Sequence, residues 1–470
     1  MAEYAKPRGT ADILPDDALE WQFVEKTAQQ LFESYQYREI RTPIFEHTEI
    51  FERGVGDTTD IVTREMYTFT DRGGRSVTLR PEGTAGVARA FVENRLYGGP
   101  LPAKLYYNGP MFRYETPQAG RYRQFYHYGV EVIGTDDPRS DAEVIEVADR
   151  LLRTMGIESF GLELNSVGCP VCRADHKVRL LEHLEPVRQD LCTDCQERFE
   201  KNPLRILDCK KDGNNPTVLS APTITDSLCD SCASHFAAVK MYLDAMAIPY
   251  QVVKTMVRGL DYYTQTAFEF VESSIGAQST ILGGGRYNGL IRMLGGPDLP
   301  GIGFAGGVER LLLARAAHGL KSAPQNHPDA YVIALGEAAR AASVRVLYAL
   351  RQAGISADAD YSGHGLKAQL KAADRVGATF ALLIGDDEVK SGTVAIRNMA
   401  TKEQTSVNEV AVVATIADRE RSESPDRRDD VFEMSGTSPD GASRDTDNEV
   451  LPIHPPRRHP PRKTAAFWTY

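Results

Sequence analysis

The chain lacks any long apolar run. No window of its 470 residues approaches the run of about 18 apolar residues that a membrane helix needs, and no early apolar stretch follows a basic segment. Membrane spanning and secretion are therefore not expected, and the expected location is cytoplasmic. A surplus of positive charge is missing too: 54 Lys and Arg stand against 65 Asp and Glu, a formal net charge of −11. That weighs against indiscriminate nucleic-acid binding but allows a structured RNA partner met through local basic patches. Cysteine is scarce, at seven, yet six of the seven fall in three Cys-x-x-Cys pairs. In a cytosolic chain such pairs suggest zinc ligands or reduced structural thiols rather than disulfides. What remains is ordinary globular composition, 42% apolar, over a length that fits several domains.

Trp21, Val24, Ala28, Leu31 and Tyr35 recur at spacings of three or four, which predicts an amphipathic helix over about 18–35. A strand follows over 37–43, with Pro43 confining it to a strand end or a sheet edge. Alternation over 104–134 predicts two antiparallel strands joined at Pro117-Gln118-Ala119-Gly120, then a helix over 139–156 closed by Gly156. Residues 166–246 read as a cysteine-bearing, helical insertion that splits a first domain of 1–165 and 247–322. Beyond a linker at 321–328, residues 329–417 alternate β-α-β-α-β, as a small open α/β domain does. From 418 to 470 the Ser, Asp, Arg and Pro composition predicts a disordered tail.

Five motifs carry chemistry. Arg258-Gly259-Leu260-Asp261-Tyr262-Tyr263 offers a permanently charged guanidinium suited to charge developing on an α-phosphate. Arg113, Arg121 and Arg310 can grip a bent triphosphate from different elements. Phe125 with Arg310 would add a cation–π contact worth roughly 0.5–2 kcal/mol. Glu115 can take an adenine amino group or orient the acceptor end, while Glu82 and Thr84 offer acceptors to a substrate ammonium.

Taken together, Leu79-Arg80-Pro81-Glu82-Gly83-Thr84, Phe112-Arg113-Tyr114-Glu115, Arg121-Tyr122-Arg123-Gln124-Phe125, the Arg258 motif, Gly283-Gly284-Gly285-Arg286-Tyr287 and Gly303-Phe304-Ala305-Gly306-Gly307-Val308-Glu309-Arg310 closely resemble the histidyl-tRNA synthetases of class II. The resemblance covers about residues 1–417. It implies an α+β catalytic domain on an antiparallel sheet, a helical insertion, a C-terminal α/β anticodon-binding domain and a homodimer. It also implies ATP with Mg2+, L-histidine and tRNA(His) as substrates and partners. Arg113 would grip the α-phosphate, Arg121 the terminal phosphates, and Arg310 the adenine face opposite Phe125. Arg258 would span the histidine carboxylate and the α-phosphate, making it, with Arg113, the catalytic residue. Glu82 and Thr84 would hold the α-amino group, and Glu131, Tyr262 and Tyr263 would complete the histidine pocket.

The chain departs from its relatives at three places: Thr116 where many have Arg, His127 where they place Gln beside the amino group, and His364 in Gly363-His364-Gly365 where Gly-Arg-Ser is usual. A catalytically silent regulatory relative in histidine synthesis is the main alternative, but such chains lack the terminal domain and erode the Glu82 and Arg258 motifs. For a structural metal, Cys169, Cys172, Cys229 and Cys232 can form a Zn-S4 site, with Cys192-x-x-Cys195 as a competing pair and Cys209 left over.

Overall fold

The structure, a computed structural model, describes residues 4–423, apart from 57–58, 208, 210, 258, 276–278 and 321–326. It divides into two compact units at 325/326. The first is built on an eight-stranded sheet whose centre is antiparallel: Ala103–Phe112, Gln124–Ile133, Gly301–Gly307, Thr280–Arg286 and Thr264–Val271 lie side by side in that order. The 103–112 and 124–133 strands form a ten-residue ladder from Ala103 opposite Ile133 to Phe112 opposite Gln124; the second strand is rich in aromatic and β-branched residues, and the first contributes Tyr106, Tyr107 and Phe112. Arg38–Glu39, the short remnant of the strand expected over 37–43, pairs in parallel at one edge.

Strand alternation sends successive residues to opposite faces. Tyr128, Val130 and Val132 enter one apolar core with the helices Pro15–Ser34, Pro138–Thr154 and Val308–Ala317. Phe125, His127 and Glu131 therefore point the other way. There a second core, containing Phe51, Phe91, Met111 and Tyr287, surrounds a polar hollow.

The insertion is smaller than the sequence suggests. Ser166 closes the Gly161–Ser166 strand of the main sheet. Helix Asp230–Ala245 buries Phe236, Val239 and Leu243 in the first core, so it belongs to the catalytic body. Between them, Leu180, Leu184, Phe199, Ile206 and Val218 form a satellite core.

The second unit has a five-stranded sheet in the order Ala357–Ala359, Ala330–Ala334, Phe380–Ile384, Thr393–Asn398 and Gln404–Asn408. The first three are parallel, as the βαβ pattern requires, and a hairpin adds two antiparallel strands. Helices Glu337–Gln352 and Leu366–Arg375 cover opposite faces. The tail boundary expected at 418 falls inside helix Val412–Glu423, which continues because Val412 and Ile416 are buried on this sheet. Residues 424–470, and most of the linker read at 321–328, lie outside the described residues.

Candidate active site

The polar hollow is a cavity of about 550 Å³. Its wall brings together Glu82, Thr84, Arg113, Glu115, Arg121, Phe125, Tyr262, Tyr263 and Arg310, residues from five of the six sequence motifs, with His127 beside them. Arg258 lies outside the described residues, while its neighbours Val257 and Gly259 line the same wall.

One end is built for a small polar ligand. Helix Thr84–Glu93 starts here, and Glu82 caps it, its two oxygens accepting from the Thr84 and Ala85 amides at 2.7 and 2.8 Å. A carboxylate at a helix N-terminus is stabilised by the unpaired N–H groups and the dipole. Burial nevertheless holds the Glu82 carboxyl above the usual range, so an incoming ammonium would find a partner worth having. The Tyr262 hydroxyl also reaches Glu82, at 3.4 Å.

Glu131 lies beneath, fully buried. The Thr84 hydroxyl donates to its Oε1 at 2.7 Å, and its Oε2 has no hydrogen-bond partner. Burial pushes its pKa up to about 8, against the pull of the Thr84 hydroxyl. The space for this carboxylate exists because the opposing ladder residue is Gly303: a Cβ there would stand 2.1 Å from Oε2 and 2.3 Å from the Val130 carbonyl. Tyr107 and Tyr287 close the floor as buried phenols, Tyr287 beside the Glu131 carboxyl and Tyr107 beside Thr84. Tyr287 ends the glycine-rich 283–287 motif but carries no role there, and Tyr107 has only its place in strand Ala103–Phe112 as a signal.

The other end is cationic. Glu115 is buried between two guanidiniums, paired with Arg121 and 3.9 Å from Arg113. It is thus an anchor for the expected phosphate-gripping arginines rather than an open acceptor. Arg113 also donates to the Pro81 carbonyl at 2.9 Å, tying the two ends together. Arg113 lies over the Phe125 ring at 5.4 Å, and Arg310, expected there too, lines the same cavity. Arg310 also bridges the walls, donating to the Thr280 carbonyl at 2.5 Å and to the Gly120 carbonyl at 3.4 Å. Gly120 and Gly307 pack against the Arg310 side chain, and Phe125 and Arg310 both line the cavity.

His127 stands between the two ends, its ring 4.9 Å from Phe125. Burial, then the charges of Arg113, Arg310 and Arg80, lower its pKa to about 3, and its Nδ1 has no partner. It is a neutral imidazole at working pH. Glu309, unassigned from sequence, accepts from the Tyr126 amide with both oxygens at 3.1 Å.

Among the cysteines, the sulfurs of Cys169, Cys172, Cys229 and Cys232 lie within 4.8 Å of one another. The Cys169 Sγ is 3.6 Å from Cys172 Sγ and 3.9 Å from Cys229 Sγ. Beside this cluster, Arg173 donates to the carbonyls of Val167 and Tyr263, linking it to the cavity wall.

The family model for histidyl-tRNA synthetase matches residues 9–172 and 212–311, and that for the anticodon-binding domain matches 329–419. The chain belongs to the histidyl-tRNA synthetase family. It is 52% identical over 401 residues to the histidine–tRNA ligase of Halothermothrix orenii, covering 85% of this chain and 96% of that one. It is 53% identical over 405 residues to the histidine–tRNA ligase of Anoxybacillus flavithermus, covering 86% and 96%. The crystal structure of apo histidyl-tRNA synthetase from S. aureus superposes with a TM-score of 0.76 at 42% identity, over 88% of this chain and 99% of that one. The class II catalytic fold with a C-terminal anticodon-binding domain, expected from sequence, is the architecture found.

Proposed function

We infer that this chain attaches L-histidine to tRNA(His) in two ATP-dependent steps. The histidine carboxylate attacks the α-phosphorus, a P–O bond forms, and pyrophosphate leaves; a hydroxyl of the terminal tRNA ribose then attacks the carbonyl carbon, and AMP leaves. No general base is needed for the first step, because the carboxylate is already a nucleophile. The observation that carries this reading is the free Oε2 of Glu131, a buried acceptor at the bottom of a cavity whose opposite end gathers Arg113, Arg121 and Arg310.

In this reading Glu82 and Thr84 hold the α-amino group, and Glu131, Tyr262 and Tyr263 the side chain. A site built to hydrogen-bond an imidazole rejects an apolar isostere, since the wrong ligand leaves Glu131 unpaired. Arg113 and Arg121 take phosphates, Phe125 and Arg310 flank the adenine, and Arg258 spans carboxylate and α-phosphate, holding the two reactants together. The family works with ATP and Mg2+. Mg2+ is commonly held by one or two carboxylates together with substrate phosphates; here Glu269, at the cavity wall with Oε2 accepting from the Thr280 hydroxyl at 2.7 Å, suits that role. When bound, the ion neutralises triphosphate charge.

The tRNA would meet the 329–417 domain, where Lys367 and Lys371 stand exposed one turn apart on helix Leu366–Arg375. His364 is held by Asp360, at 3.0 Å from its Nδ1, in place of the usual Arg. A homodimer is expected, and exposed Ile44, Phe45 and Phe69 on or beside the small sheet Phe45–His47, Ser76–Leu79, Tyr67–Thr70 supply apolar surface for a second copy. The Cys169, Cys172, Cys229 and Cys232 cluster would hold a structural Zn2+. A cytoplasmic location suits this activity, and none of the described helices is long and apolar enough to cross a membrane. The deciding experiment is pyrophosphate exchange into ATP with each amino acid in turn, followed by charging of purified tRNA(His). Exchange should require histidine; exchange with another amino acid, or none, would overturn the assignment.

A further inference from the structure

The third Cys-x-x-Cys pair is not left without partners. Cys192, Cys195 and Cys209 converge on Asp212, and their sulfurs and the carboxylate oxygen all lie within 4.8 Å of one another. The Cys192 and Cys209 sulfurs are 3.8 Å apart, and the Asp212 Oδ2 is 3.7 Å from Cys209 Sγ. In a tetrahedral zinc site with Zn–S of about 2.3 Å, two sulfurs are separated by roughly 3.8 Å. A disulfide would need roughly 2.05 Å. A four-iron cluster would push its ligating sulfurs much farther apart than one small ion does.

The local backbone repeats that of the first cluster. Cys169, Cys192 and Cys229 each occupy the cap position of a helix, Pro170–Leu184, Thr193–Lys201 and Asp230–Ala245, with the second cysteine of each pair in the first turn. Sulfur at a helix N-terminus is favoured as thiolate, the form that binds metal. Backbone amides donate to sulfur in both clusters, Cys229 N–H to Cys172 Sγ at 3.2 Å and Asp212 N–H to Cys209 Sγ at 3.5 Å. Asp212 stands where Cys209-x-x-Asp212 mirrors a Cys-x-x-Cys knuckle, and the Cys192 amide orients it, at 3.0 Å from Oδ2.

We propose that Cys192, Cys195, Cys209 and Asp212 form a second, independent mononuclear Zn2+ site. Three soft thiolates and one carboxylate suit zinc. The site lies inside the satellite core, of which Cys195 and Cys209 are themselves members; so small a core gains folding free energy from a metal. It also fixes the insertion to the catalytic body: helix Thr193–Lys201 carries Arg198, 3.6 Å from Asp60, and is followed by Asn202, which donates to Asp261 Oδ1 at 2.9 Å. Asp261 directly precedes Tyr262 and Tyr263 of the cavity.

The test is the zinc content of the full chain, by native mass spectrometry and elemental analysis after purification with added zinc. Two Zn2+ per chain are expected. Cys209→Ser and Asp212→Ala should each leave one, Cys169→Ser should also leave one, and Cys169→Ser with Cys209→Ser should leave none. Asp212→Cys, which completes a four-sulfur set, should restore two. A zinc count that does not fall on loss of Cys209 or Asp212, a wild-type chain whose every zinc is lost with Cys169→Ser, or a Cys192–Cys209 disulfide in its place would each overturn the proposal. The wild-type count stands even if a variant fails to fold. Metal content is independent of whether the chain charges tRNA.

Discussion

Arg286 and Asp141 form a fully buried fork: the guanidinium donates through Nε at 3.0 and 2.9 Å to both carboxylate oxygens and through Nη2 at 2.5 Å to one of them. Its remaining donors go to the Thr135 and Asp137 carbonyls and the Ser140 hydroxyl, and His235 approaches Asp141 at 3.0 Å. The arginine of the Gly283-Gly284-Gly285-Arg286-Tyr287 motif thus bolts the sheet to helix Pro138–Thr154 and does not face the cavity. Arg286→Met should destabilise the catalytic unit by about 3–5 kcal/mol, because it leaves Asp141 buried without its main partner. Urea denaturation measures it. A loss under 1 kcal/mol would show that the fork contributes only orientation.

Glu131→Gln should raise the histidine Michaelis constant and leave that for ATP unchanged. Losing a hydrogen bond at this buried position costs about 1–3 kcal/mol, or roughly five- to a hundredfold. Equal losses for both substrates would instead make Glu131 a structural residue.

Stability should fall as pH rises above about 6.5, where His127, lowered to about 3 in the folded chain, no longer adds an opposing slope. Glu131 keeps its proton to about 8 in the folded chain, against 4.5 for an ordinary glutamate, so the folded state binds the extra proton between those values. That contribution to stability is therefore full below 4.5 and declines toward pH 8. Glu309, raised by burial to about 7, acts in the same direction. Melting temperature from pH 6.5 to 8.5 should slope downward in the wild type and less so in Glu131→Gln; parallel slopes would remove Glu131 as the source.

Arg258→Ala should abolish pyrophosphate exchange in a chain that melts normally. A lost transition-state contact of this kind costs on the order of 3–4 kcal/mol. Near-normal exchange in the folded variant would sink its catalytic role.

Removal of residues 424–470 should leave melting and charging nearly unchanged, since that segment has few apolar residues to offset the entropy of ordering. Cutting after Ala411 removes buried Val412 and Ile416 and should cost roughly 3–6 kcal/mol. Comparing both truncations with the full chain, with the tRNA Michaelis constant followed across a salt series, separates a dispensable tail from an RNA-binding arm.

The sheet was legible because strand alternation is a local signal: Phe125, His127 and Glu131 sit at even spacing, so one ladder fixes their common face. Helix periodicity was equally legible in Trp21 to Leu31, though Trp21 spends its ring on Tyr126, 5.0 Å away. What escaped depends on distant partners. Glu115 could not be seen as the clasp of Arg121, nor Arg113 as the cation over Phe125, without the loop that folds 121 back on 115. Asp212 escaped because a carboxylate three residues after a cysteine carries no signal by itself. Helix Asp230–Ala245 starts in the cysteine cluster at Cys229 and Cys232 yet carries Phe236, Val239 and Leu243 at spacings of three and four, a core-facing stripe that joins it to the catalytic body.

The missing side chain at Gly303 reaches into the future of this pocket as well as its present. Any replacement would place carbon on the Glu131 carboxylate and the Val130 carbonyl at once, and one of the two is backbone that cannot step aside. A lineage therefore has no single-substitution path at 303 that trims the pocket by degrees toward another amino acid. Its choice of substrate is buffered against gradual drift by an atom that is not there.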